Sequence, residues 1–123
     1  MILKKTTDEY LVHTTTCGDV TEVLTAADYR GVNIEICFDI RPNEAHYHKN
    51  FDEIYFSMDG RFDLRLYDPV ADAFTDASIG PNEMVLIPHG VHHVIVRSDA
   101  RNRLLVLNIP YFDAGDEFPS DKL

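Results

Sequence analysis

The chain has 123 residues, 45% hydrophobic and 26% charged, which is the size and composition of one globular domain and too short for a second of ordinary size. Twenty-one acidic against eleven basic residues give a formal charge of −10, which repels phosphate backbones and anionic lipid surfaces, so no nucleic-acid or membrane-surface role is expected. The start, MILKKTTDEY, has no apolar run of signal-peptide or membrane-spanning length, and a cytoplasmic location is expected. Cys17 and Cys37 form no CxxC pattern and are read as reduced thiols.

In chain order, residues 24–29 have the composition of a single helical turn, and the dominant period after them is two. Val32, Ile34, Ile36, Phe38 and Ile40 alternate with Asn33, Glu35, Cys37 and Asp39, which predicts a strand with the apolar set facing the core. Phe62, Leu64 and Leu66 alternate in the same way. The apolar runs 84–87 and 104–109 are short and bounded by turn residues, as strands buried on both faces are. Phe38, Phe62 and Met84 are expected in the core or a pocket wall. Turn signals stand at Pro42-Asn43, Asp59-Gly60, Asp68-Pro69, Gly80-Pro81-Asn82 and Pro88-His89-Gly90, and Asp59-Gly60 reads as a hairpin. Many short strands and no long helical face predict an all-β sandwich or barrel. The tail 111–123, rich in Asp, Gly and Pro, reads as coil.

Chemistry concentrates in the histidines. On a strand, His46 and His48 point the same way and can converge on one metal ion. Glu53 lies five positions on, an odd offset, so the chain must turn or bulge within residues 49–52 to bring it back. The segment Pro88-His89-Gly90-Val91-His92-His93 offers a further ligand at the start of another strand, where His93, Ile95 and Arg97 share a face. Three imidazoles and a carboxylate suit a divalent ion: Mn, Fe or Ni are favoured, and Zn or Co also fit. In an octahedral ion two positions remain open.

The run His46-x-His48, four residues, Glu53, six residues, Gly60 resembles the first motif of the cupins, and Pro88-x-Gly90-x-x-His93 resembles the second. The resemblance spans nearly the whole chain. It implies a double-stranded β-helix (jelly-roll) barrel with a core over about residues 30–110, edge strands within 1–29, and frequent homodimers formed through N-terminal or edge strands. It also selects Glu53 over Asp52 and His93 over His92 as ligands, leaving Asp52 and His92 facing solvent or orienting a ligand. Three positions depart from the motifs. Ile40 stands where Gly is usual, leaving the approach turn to Pro42-Asn43. Asn82-Glu83 replaces Gly-Asp, and Asn is the non-glycine residue best suited to positive φ. Arg97 replaces a common Asn.

Arg97 is expected to face the site, paired with Glu35, Asp39 or an anionic substrate group. Tyr55 and Ser57 share the parity of Glu53 and are candidate substrate contacts, and Tyr55 and Arg97 are the catalytic candidates. His89 reads as an exposed rim residue. Similar small cupins include dioxygenases, decarboxylases and sugar isomerases, so the resemblance implies a metal-dependent enzyme acting on a small oxygenated molecule such as an enediol, keto acid, phenol or sugar derivative. The alternative is a non-catalytic module that binds or senses a metal or small molecule.

Overall fold

The computed structural model of the chain describes residues 1–5, 10–15 and 18–123; Cys17 lies outside them, and Cys37 is a buried free thiol. The described residues are all-β: β1 Leu11–Thr15, β2 Gly18–Leu24, β3 Asn33–Phe38, β4 His46–Tyr47, β5 Asp52–Asp59, β6 Phe62–Asp68, β7 Ala73–Ile79, β8 Met84–Ile87, β9 His92–Ser98, β10 Arg103–Ile109 and β11 Phe118–Pro119. They form two antiparallel sheets, ordered β1-β2-β3-β10-β5-β8 and β11-β4-β9-β6-β7. Pairing stays within each sheet and does not run around a closed ring. Among the described residues no helix is long and apolar enough to cross a membrane.

From β3 onward the chain alternates between the sheets at most connections. Asp59-Gly60 is therefore no hairpin: β5 pairs with β10 and β8, whereas β6 pairs with β7 and β9. The turn carries the chain from one sheet to the other. It requires glycine, since φ is +82° and a Cβ at Gly60 would lie 2.4 Å from the Arg101 carbonyl oxygen. Asn82 takes φ +67°, so it performs the backbone task of the glycine it replaces. The bend after β3 falls at Asp39, φ +53°, and Asn43 then ties to β9 by donating its N–H to the Ile95 carbonyl and accepting the Ile95 N–H on its side chain. Residues 25–29 make the expected single turn, with the N–H groups of Asp28 and Tyr29 both donating to the Thr25 carbonyl.

The core lies between the sheets. Phe62, Leu64, Ile79 and Ile95 from one sheet pack with Cys37, Tyr55, Ile87, Leu104 and Val106 from the other. Registers set the inner face of the larger sheet as cross-strand rows: Asn33–Asn108–Glu53–Ile87, Glu35–Val106–Tyr55–Val85 and Cys37–Leu104–Ser57. The predicted orientation of β3 is thus reversed. Ile34, Ile36 and Phe38 lie on the outer face, where two rows, Ile34–Leu107–Ile54–Leu86 and Ile36–Leu105–Phe56–Met84, run across four strands. Met84 is half exposed there, whereas Phe62 is fully buried. The reason is that β8 and most of β10 are apolar on both faces, so an apolar stripe in β3 has partners whichever way it faces; its inner residues Glu35 and Cys37 instead line a cavity.

Candidate metal centre

Four side chains meet near one end of the space between the sheets: one donor atom from each of His46, His48, Glu53 and His93 lies within 4.8 Å of the others. Both sheets contribute. His46 and His93 are direct partners across β4 and β9, with ring centroids 4.4 Å apart. His48 follows β4, and its carbonyl accepts the Gly90 N–H at 2.6 Å, which ties the two motifs together. Glu53 reaches in from β5 in the opposite sheet.

The hydrogen bonds set the chemistry of the imidazoles. Nδ1 of His46 lies 2.8 Å from the Glu44 carbonyl, Nδ1 of His48 2.6 Å from the Asp116 carbonyl, and Nδ1 of His93 3.1 Å from the Val91 carbonyl. A carbonyl only accepts, so each Nδ1 carries a proton and each Nε2 is turned toward the common point, where a metal ion would take its lone pair. Nε2 of His93 is buried with no hydrogen-bond partner, which costs about 1–3 kcal/mol unless something fills the place. A divalent transition-metal ion fits this donor set, three nitrogens and a carboxylate oxygen.

Electrostatics agree with that fit. Burial opposes ionisation of Glu53, but the hydrogen bond from His48 and the electrostatic attraction of the two nearby imidazoles outweigh it and hold the carboxyl well below its usual range. His48 Nε2 lies 2.5 Å from Glu53 Oε1. Burial likewise opposes charging of His48, and the Glu53 carboxylate reverses the balance and raises it. His46 is lowered, first by burial and then by His93, which keeps it a neutral ligand.

The tail, expected to be coil, is part of this apparatus. β11 pairs with β4, and buried Asp116 orients His48 through its carbonyl while its carboxylate accepts the N–H groups of Lys49 and Asn50 at 2.9 and 2.8 Å. Those bonds hold the turn that returns the chain to Glu53. Phe51 stacks on the His48 ring at 4.2 Å, and Glu117 Oε1 lies 3.6 Å from His46 Nε2.

The remaining predicted residues divide. Tyr55 is buried and lines the cavity beside the quartet; burial first, then the charge of Glu53, pushes its phenol well above its ordinary range. Ser57 points inward as its parity requires, but its hydroxyl donates to the Gly60 carbonyl at 2.6 Å and serves the turn. Arg97 is not brought to the site. Leu64 pairs with Ile95 but Asp63 pairs with Arg97, so Val96 is an extra residue on β9, and this bulge turns Arg97 outward. There it pairs with Asp63 at 2.7 Å and Asp99 at 3.2 Å, its side chain 54% exposed, and neither Glu35 nor Asp39 is its partner. Asp52 accepts the N–H and Nδ1–H of exposed His89 and orients no ligand. His92 stacks on Tyr47 at 4.3 Å and bonds Ser120.

Beside the quartet lies a cavity of about 180 Å³, small for a ligand pocket. Asn108 and Glu35 line it. The sequence signal for Asn108 was its place as an amide within an apolar strand; Asp116 and Glu117, in an aperiodic tail, carried none.

No family model and no curated protein matches the chain. Among solved structures, oxalate decarboxylase from Bacillus subtilis at pH 4.6 superposes with a TM-score of 0.78 at 16% identity over 91% of this chain and 30% of that one. Another structure of that enzyme, concerned with its Mn(II) centres, gives 0.76 at 16% over 91% and 30%. A protein from Planctomyces limnophilus gives 0.76 at 19% identity over 96% of both chains. The chain therefore spans less than a third of oxalate decarboxylase. At these identities the likeness shows the fold, and it is the cupin fold that the two motifs implied.

Proposed function

We propose that the chain is a single-domain cupin, its two sheets forming the halves of a jelly-roll barrel, that binds one divalent transition-metal ion through His46, His48, Glu53 and His93 and acts as a metal-dependent enzyme on a small oxygenated molecule. The observation that carries this reading is the set of three Nδ1–H···O=C bonds, which turn three Nε2 atoms toward one point beside the Glu53 carboxylate. Bound there, such an ion supplies a Lewis acid that polarises a substrate oxygen. The protein's own part is to fix the ligands, to set them beside a small cavity, and to place the un-ionised Tyr55 phenol at its wall as a hydrogen-bond donor. Manganese is the first ion to test, given the Mn(II) centres of a protein with the same fold; iron and nickel follow.

The test has two stages. Metal-free protein titrated with Mn(II), Fe(II) and Ni(II) is expected to bind one equivalent, and His48→Ala none. The loaded protein, screened with enediols, keto acids and sugar derivatives by oxygen electrode and product detection, is expected to turn one class over; binding without turnover for every metal would leave a binding module. We also read the chain as a homodimer, a reading favoured by the apolar outer rows of the larger sheet in a chain otherwise strongly acidic. Light scattering at micromolar concentration checks it, and a monomer there would contradict it.

A further inference from the structure

Two polar side chains on the inner face of the larger sheet have no use in holding the quartet. Asn108 is 1% exposed, and its Nδ2 has no hydrogen-bond partner. It stands directly opposite Glu53 on one side and Asn33 on the other, and it lines the cavity. Asn33 is satisfied, donating to the Leu24 carbonyl and accepting the Phe112 N–H, so it offers Asn108 no reason to be polar. Glu35 lies diagonally across the register from Asn108, lines the same cavity, and makes no hydrogen bond among the described residues. Glu35 is only partly buried, but a fully buried amide left as Asn108 is left is ordinarily completed by a ligand or ordered water.

The charge of the cavity narrows what that ligand can be. Asp19, Glu35, Glu53 and Glu117 line it, and among the described residues no lysine or arginine does. A dianion would have the bound metal as its only cation, with no guanidinium or ammonium to receive its second charge and with carboxylates at short range in a partly dry site. A hydroxyl meets no such penalty, because it can accept from the Asn108 amide while donating to a carboxylate. Burial, then the charges of Glu53 and Glu22, raise Glu35 to about 7.

Building on the metal reading above, we propose that Asn108 and Glu35 form a hydroxyl-binding subsite that selects neutral molecules with two adjacent oxygens, such as α-hydroxyketones, enediols or catechols, over dicarboxylates and phosphate esters. The cavity volume allows only a small representative of that class.

The test uses the full chain loaded with Mn(II), with metal affinity measured first and metal retention followed throughout. Dihydroxyacetone and catechol serve as neutral probes, oxalate and inorganic phosphate as anionic ones, each titrated calorimetrically. The neutral probes are expected to bind at least about ten-fold more tightly than either anion. Asn108→Leu and Glu35→Ala are each expected to weaken the neutral probes by about ten-fold or more, the scale of a lost hydrogen bond in a closed site, while metal affinity stays within about three-fold. Should Asn108→Leu not fold, near-isosteric Asn108→Asp removes the same donor, and the selectivity of the unaltered protein needs no variant. Anions binding as tightly as the neutral probes, neutral-probe affinity unchanged in the variants, or no probe binding to loaded protein would each overturn the subsite. An unaltered chain that takes up no metal would overturn the metal reading and the subsite together, and that result is read before any probe is added.

Discussion

The ligand-bearing strands and the C-terminal tail build the same site by different means. His46, His48, Glu53 and His93 sit on β4, β5 and β9 or at their ends, where a period of two and the cross-strand register fix the direction of each side chain. The tail has almost no period, yet Asp116 orients His48 and closes the turn at Lys49-Asn50 through three hydrogen bonds. Strands supply donors by repetition, and the tail supplies aim by specific contacts. The two should therefore fail differently: loss of a ligand removes the ion, and loss of the Asp116 carboxylate leaves a site that binds a little less tightly.

The largest expected effect is on the strands. His48→Ala or Glu53→Ala should reduce metal affinity by more than about 100-fold, beyond the 10–100-fold ascribed to groups that only orient ligands, with the fold retained by circular dichroism. Asp116→Ala keeps the backbone carbonyl that accepts from His48 and removes only the carboxylate that holds the Lys49-Asn50 turn, so metal affinity should fall by less than about ten-fold and stability by about 1–3 kcal/mol. An Asp116→Ala protein as stable as the wild type in denaturant melts would remove its carboxylate from the turn.

A third expectation concerns Glu35 and pH. Its folded pKa, about 7, stands above the ordinary 4.5, so between those values the folded chain holds a proton that the unfolded chain has released. Stability contributed by this group is full below about pH 4.5, falls as pH rises to 7, and is flat above, a span of about 3 kcal/mol. Glu35→Gln should match the wild type in denaturant melts at pH 4 and exceed it by up to that amount at pH 8, while weakening the neutral probes less than Glu35→Ala. A stabilising change that impairs binding marks a residue kept for function. The smallest effect belongs to Arg97→Ala, which breaks two exposed, solvent-screened ion pairs and should leave stability nearly unchanged in denaturant melts and metal affinity unchanged.

Much of the site was legible because alternation over two or three residues is reliable. His46 and His48 needed only that, and Glu53 needed one turn that the chain was bound to make. Arg97 shows where such counting stops. Four residues beyond His93, the parity inherited from that ligand crosses the Val96 bulge, and nothing in the local sequence marks an inserted residue. The strand β3 fails for another reason: alternation shows which residues share a face but not which face is inner, and here the outer rows of the sheet are the apolar ones. Asp59-Gly60 was a correct turn given the wrong partners, because a tight turn joins neighbours in space without requiring that they pair. Asp116 carried no local signal, since its contacts with His48, Lys49 and Asn50 lie 66 to 68 residues away.

The central claim is that four residues hold one ion through three Nε2 atoms. A crystal grown with Mn(II) and measured for anomalous scattering tests it directly. The account predicts a single strong peak per chain, within about 2.0–2.3 Å of Nε2 of His46, His48 and His93 and of a Glu53 carboxylate oxygen. A peak placed instead at exposed Asp52 and His89, or no peak between the sheets, would contradict it.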